Sequence, residues 1–376
     1  MSTTAEKKSQ GLEGIIVGDS AVCSVEQGKL IYRGYDIADL AENAAFEEVA
    51  HLLLVGHKPS ASELAEFDGR LKAARTLNAD ALAVLKSAAS KPGVHPMDVL
   101  RTVVSFLAHV HPDAQDNSPE AELRKAVNLT GVIPTIIGHM QNVIDGRDIV
   151  APDMNLSHAQ NLYYMMMGEK PSEKAARIID VSLILYAEHD FNASTFTSRV
   201  IAGTLADMHG AVTGAIAALK GPLHGGANEA AMEMIKEVGS VDNVEPFMKN
   251  AFETKRKIMG FGHRVYKNGD HRASILHELG RAYAEEKGQD AVRWFEIGEK
   301  IQKIMNDEKG IFPNVDFPCG LTYFVMGIPV PQYTPIFVAA RITGWAAHIM
   351  EQHQNNRLIR PLSNYTGPLN KSWNDD

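Results

Sequence analysis

The sequence predicts a mostly α-helical chain of two domains with one small N-terminal hairpin. Apolar residues recur at helical spacing along most of its length, and strand-like alternation is confined to residues 21–32. Glycine and proline crowd into three short segments between residues 220 and 320. A chain of 376 residues has room for two domains, or for one large core with an insertion.

Residues 21–32 alternate around Gln27-Gly28 and read as a hairpin. Phe46, Val49, Ala50 and Leu53 then mark one face of a helix that ends at Gly56, with Pro59 just beyond. Similar patterns predict helices over 61–77, 96–109, 120–144, 173–188 and 272–286. The most apolar segment, 200–219, contains Asp207 and His209 and reads as a buried helix, not a membrane span. The segments Lys220-Gly-Pro-Leu-His-Gly-Gly226, Met259-Gly-Phe-Gly-His-Arg264 and Phe312-Pro-Asn-Val-Asp-Phe-Pro-Cys-Gly320 are separated by short amphipathic stretches. This suggests a smaller helical domain, 221–322, inserted into a larger one made of 1–220 and 323–376.

Composition narrows the function. A hydrophobic fraction of 45% excludes wholesale disorder, and a net charge of −9 argues against a general nucleic-acid binder. Two cysteines, Cys23 and Cys319, make neither a disulfide framework nor a structural zinc site. No apolar stretch of signal-peptide length follows Lys7-Lys8, and the first thirty residues carry no arginine, so the expected location is cytoplasmic.

Several side chains could carry chemistry. His224 precedes the helix-forming run from Asn228, where the helix dipole disfavours imidazolium. A neutral ring there can donate to a developing oxyanion, or it can simply close a tight turn. His263 lies in Gly260-Phe-Gly-His-Arg-Val-Tyr-Lys267, inside a stretch (249–272) with seven basic and two acidic residues. That reversal of charge suggests an anionic, phosphorylated ligand, although Lys255-Arg-Lys257 reads as a solvated face. Asp316 has apolar neighbours that would raise its pKa toward general-base values; the plainer reading is a cap for a helix beginning near Gly320. Arg341 interrupts a helix apolar nearly all round, and Glu351 is ten residues away. Its partner is a carboxylate from another segment or a bound ligand. His348, Glu351 and His353 fit no zinc-enzyme spacing, and no metal is expected.

Taken together and in order, these segments resemble the citrate synthase family, of the short dimeric type without an extra N-terminal regulatory domain. The match runs from Leu30-Ile-Tyr-Arg-Gly-Tyr-Asp-Ile37 through Tyr186-Ala-Glu-His-Asp-Phe-Asn-Ala-Ser194, Gly221-Pro-Leu-His-Gly-Gly-Ala-Asn228 and Gly260–Lys267. It continues through Phe312-Pro-Asn-Val-Asp316, Ala340-Arg-Ile-Thr-Gly-Trp-Ala-Ala-His348 and Arg360-Pro-Leu-Ser363. The resemblance implies a citrate-synthase-like two-domain helical fold and a homodimer with shared active sites. It implies condensation of acetyl-CoA with oxaloacetate and hydrolysis of the thioester, with no permanently bound cofactor and coenzyme A thioester as co-substrate. It assigns His224, His263 and Asp316 to catalysis, and His189, Asn192, Arg272, Arg341 and Arg360 to oxaloacetate, Arg360 reaching the partner subunit's site. Gly260, Phe261, Gly262, Arg264 and Lys267 fall in the CoA loop. His271 stands where members commonly have proline, and Cys319 where many have serine. The neighbouring readings are 2-methylcitrate synthase, which uses propionyl-CoA, and a non-catalytic helical binding protein of the same fold.

Overall fold

The computed structural model describes residues 11–12, 14–26, 28–263, 265–266 and 269–372. β1 (Cys23–Glu26) and β2 (Lys29–Tyr32) pair antiparallel, with Cys23 opposite Tyr32, and β3 (Tyr35–Asp36) adds a third strand beyond the expected hairpin. Ten helices follow. They are α1 (Ile37–Asn43), α2 (Phe46–Val55), α3 (Ala61–Ala73), α4 (Ala79–Ala89), α5 (Pro96–Val110), α6 (Pro119–Ile144), α7 (His158–Met167), α8 (Glu173–Tyr186), α9 (Ala193–Ala202) and α10 (Met208–Leu219).

The boundaries follow local chemistry. Gly56 takes φ +100° and closes α2; Ser60 and Glu63 form a reciprocal capping box at the start of α3. Two expectations need correction. The helix over 61–77 stops at Ala73, and Asn78 caps a separate α4. The segment 200–219 is two helices: the chain breaks after Ala202, Leu205 takes φ +64°, and Asp207 caps α10 by accepting from the Gly210 amide.

A second group packs largely on itself: α11 (Ala227–Val238), α12 (Val244–Glu253), α13 (His271–Lys287), α14 (Gln289–Lys309) and α15 (Asp316–Val325). α13 and α15 cross closely at Gly280, where a Cβ would lie 2.1 Å from Thr322 Oγ1. α16 (Tyr333–Gln354) then returns through the first group and is packed by α2, α6, α8, α9 and α10. Its buried face goes all the way round, which is why its sequence shows no polar stripe. Among the described residues, no helix is long and apolar enough to cross a membrane.

Candidate active site

The site is assembled around the C-terminal end of α8. The last carbonyls of a helix lack partners within it, and their partial negative charge favours cations. Here they receive two arginines. Arg341 Nε donates to the Tyr186 carbonyl at 2.7 Å, and Arg272 Nη1 donates to the Leu185 carbonyl at 3.3 Å.

Their side-chain partners differ. Arg272 makes a forked pair with Asp270, Nε to Oδ1 at 3.0 Å and Nη2 to Oδ2 at 2.8 Å. Against the cost of burial, Asp270 lifts Arg272 above its ordinary value. Arg341 is 2% exposed and lies over the Phe337 ring at 4.7 Å. Its Nη1 is buried without a hydrogen-bond partner, and among the described residues no carboxylate pairs with it. Of the two partners the sequence left open, no salt bridge forms among the described residues: Glu188, whose charge acts on Arg341, pairs with His348. An unsatisfied buried N–H costs about 1–3 kcal/mol, more on a charged group.

The glycine-rich loop is laced to the chain ahead of α15. Gly262 N donates to the Phe312 carbonyl, Asn314 N donates to the Gly260 carbonyl (2.9 Å each), and Phe261 and Pro313 form a β-bridge. Gly260 is required twice over: its φ is +81°, and a Cβ would lie 2.8 Å from that of Phe317. This lacing brings His263 and Asp316 into one region. His263 Nδ1 accepts from the Val265 and Tyr266 amides at 3.1 and 3.2 Å. Two N–H donors on Nδ1 place the proton of the neutral ring on Nε2. The ring stacks on Tyr266, with centroids 4.5 Å apart, and meets His189 edge-on at 5.0 Å.

His224 lies in the turn just before α11, as the sequence suggested. The Ser194 amide donates to its Nε2 at 3.3 Å, and the Ser194 hydroxyl lies 2.8 Å from the same atom. The amide contact favours the tautomer with the proton on Nδ1. Burial, with the charge of Arg341, pushes the imidazole down to about 3, so it is neutral at physiological pH. His189 is likewise held well below its ordinary value by burial and by Arg272, and it hydrogen-bonds the Tyr266 hydroxyl at 3.0 Å.

Asp316 is the first residue of α15, so the helix begins four residues before Gly320 and not near it. Pro318 sits in its first turn, where a missing N–H is harmless. The carboxylate accepts from the Tyr186 hydroxyl at 2.8 Å instead of capping the helix. Burial pushes it up to about 6, outweighing the Tyr186 hydrogen bond and the nearby arginines. A cavity of about 1020 Å³ adjoins this cluster past Tyr266, Asp270, Arg272 and Phe317; His224, His263 and Asp316 do not line it.

Other expected residues are placed differently. Asn192 caps α9: its Oδ1 accepts from the Ser194 and Thr195 amides, and its Nδ2 donates to Thr195 Oγ1 at 3.0 Å. Arg360 is exposed in the segment after α16. Arg264 and Lys267 lie outside the described residues. His348 pairs with Glu188, Arg199 bridges His348 and Glu351, and His353 pairs with Glu122. Elsewhere, the α2–α3 turn gathers His51, His57 and Glu63; there Glu63 accepts from His57 at 3.0 Å and closes the capping box on Ser60. Sequence reasoning missed Tyr186, Ser194 and Trp345, whose Nε1 donates to Ser194 Oγ at 3.1 Å. A usable signal existed only for Trp345, one helical turn beyond Arg341.

With this geometry in place, the comparisons are consistent. Residues 11–362 match the family description "Citrate synthase, C-terminal domain". "Citrate synthase 2" of Bacillus subtilis is 43% identical, covering 96% of both chains. "2-methylcitrate synthase 2" of Corynebacterium glutamicum is also 43% identical, covering 97% of this chain and 96% of the relative. A solved ternary complex of carboxymethyl coenzyme A and oxaloacetate with citrate synthase from Thermoplasma acidophilum superposes at a TM-score of 0.91. It is 29% identical, with 96% of this chain and 97% of that chain covered. The chain belongs to the citrate synthase family. Members are enzymes of the acyltransferase type that need no permanently bound cofactor and take a CoA thioester as co-substrate.

Asp316 has a consequence for stability. A carboxyl near 6 when folded, against an ordinary 3.8, binds its proton more tightly in the folded chain. It adds stability that is fully present below about pH 4 and is lost as the pH rises through 6. Charging it in place at pH 7 costs up to about 3 kcal/mol. Asp316→Asn is therefore expected to be about 1–3 kcal/mol more stable than the parent at pH 7 and equal to it at pH 4, as read by urea denaturation. A variant less stable than the parent at pH 7 contradicts this.

Proposed function

We propose that the chain is a citrate synthase that condenses acetyl-CoA with oxaloacetate and hydrolyses the citryl thioester to citrate and CoA. The observation that carries the reading is the buried, unpartnered Nη1 of Arg341, whose charge reaches both Asp316 and His224. A dicarboxylate satisfies that guanidinium and the N–H groups of Arg272 left over from Asp270. His189, neutral and adjacent to His263, completes the seat.

Each chemical role follows from a protonation state. Asp316, held near 6, is largely ionised at pH 7 and still basic enough to take a proton from the thioester methyl. That carbon is a weak acid, so the enolate must be stabilised as it forms. His224 donates from Nδ1 to the thioester oxygen, and His263 donates from Nε2 to the oxaloacetate ketone as it becomes an alkoxide. On each ring a backbone amide occupies the other nitrogen, which sets the tautomer that donates. Gly260, Phe261, Gly262, Arg264 and Lys267 are the proposed CoA loop. Closure of residues 221–322 against the rest then excludes water.

The homodimer is part of the proposal. Leu12, Ile15, Ile16 and Val17 near one end, and Leu358, Leu362, Tyr365 and Leu369 near the other, expose apolar side chains that a partner subunit would cover. Arg360 lies within the second group, exposed and free to reach a neighbouring site.

Two experiments test this. Free CoA thiol is expected from acetyl-CoA plus oxaloacetate, with Asp316→Asn slower by about 10²–10⁴-fold. No thiol release from the folded protein contradicts the reading, and a higher kcat/KM with propionyl-CoA moves the assignment to 2-methylcitrate synthase. For the shared site, Arg360→Ala and Asp316→Ala homodimers are each expected to be inactive, while co-expressed hybrids recover about a quarter of the sites. Recovery near zero, with hybrids verified by mass, means that Arg360 does not cross to the partner.

A further inference from the structure

We propose that Tyr186 is a positioning residue for Asp316: its hydroxyl holds one carboxylate oxygen, so that the other oxygen takes the proton. The inference rests on the reading of Asp316 as the base. A carboxylate can only accept, so in the 2.8 Å contact the phenol donates to Oδ1. Rotation about the terminal torsion of an aspartate is soft. A single strong donor on Oδ1 therefore decides which oxygen faces the cleft.

Tyr186 is itself fixed on three sides. Its carbonyl is held by Arg341 Nε, its ring packs on Phe337 with centroids 4.3 Å apart, and it is 2% exposed. Cys319, fully buried on α15, neighbours the Tyr186 and Tyr323 side chains. Ser182 Oγ donates to the Ile179 carbonyl at 2.8 Å, so Tyr323 donates to Ser182 across their 2.7 Å contact. The Tyr186 proton goes to Asp316. Burial pushes the Tyr186 phenol well above its ordinary range, so it stays a donor and does not compete as a base.

The groups facing the Asp316 carboxyl are Tyr186 from α8, Asp270 and Arg272 from the start of α13, Arg341 from α16 and Cys319 from its own helix. The arginines and the phenol favour the charged form, while burial and Asp270 oppose it. Removing the hydroxyl removes a stabiliser of the carboxylate, so the carboxyl titrates at higher pH.

The test is a direct titration of Asp316 in the unliganded protein by infrared difference spectroscopy, with Asp316→Asn identifying the band. The parent is expected to titrate near 6, and Tyr186→Phe about one pH unit higher. In turnover, the acid limb of kcat moves up by the same amount. Activity at pH 6 falls about fivefold and recovers at higher pH, with KM for oxaloacetate unchanged. An unmoved titration in Tyr186→Phe overturns the inference, and a purely structural Tyr186 would lower thermal stability without moving it. Because the titration does not depend on turnover, failure of the base assignment shows separately, as full activity in Asp316→Asn.

Discussion

The rest of the structure depends on what the end of α8 does with its free carbonyls. Ile184 and Glu188 accept from the Tyr32 hydroxyl, Leu185 from Arg272 and Tyr186 from Arg341. One helix terminus thus joins the N-terminal sheet, the start of α13 and the middle of α16. Two guanidiniums buried side by side would repel strongly at low dielectric. Asp270 offsets the charge of Arg272, and the helix terminus offsets part of both. Arg341 is left with less compensation than burial demands. A structure that keeps such a group is prepared for an anion it does not itself contain.

The same positive field sets the protons of the site. Together with burial it keeps His189 and His224 neutral, so they enter the cleft as hydrogen-bond donors and not as cations. It also keeps Asp316 from rising further. Without the arginines and Tyr186, burial would hold that carboxyl protonated at neutral pH and unable to act as a base. Base, donors and anion seat are therefore one electrostatic arrangement, and altering any arginine alters the titration of the others.

Much of this was legible in the sequence, because some physical demands are local. A lone arginine in an apolar helix, a histidine ahead of a helix start and a glycine-phenylalanine-glycine loop each announce a constraint within a few residues. The helix boundaries at Gly56, Ser60 and Pro119 are equally local. What was not legible lies in long-range contacts. Tyr186 meets Asp316 across 130 residues, and Glu188 meets His348 across 160. Nothing around Tyr186 sets it apart from an ordinary buried tyrosine. The break at 203–207 was hidden because its apolar residues continue the helical pattern while Leu205 alone turns left-handed. The start of α15 at Asp316 was masked by Pro318, which reads as a helix breaker until it is placed in the first turn.

The central claim is that Arg341 is buried chiefly for a ligand: its Nε serves the fold, and its unpartnered Nη1 awaits an anion. Arg341→Met separates the two, because methionine fills the volume without a charge. Oxaloacetate binding to the parent and to the variant, measured by titration calorimetry alongside thermal unfolding, gives the answer. The account predicts a folded variant, in which relief of the buried charge offsets the lost bond to the Tyr186 carbonyl, with oxaloacetate affinity reduced at least about 100-fold. Retained affinity, or a variant that fails to fold, would show that the guanidinium belongs to the scaffold.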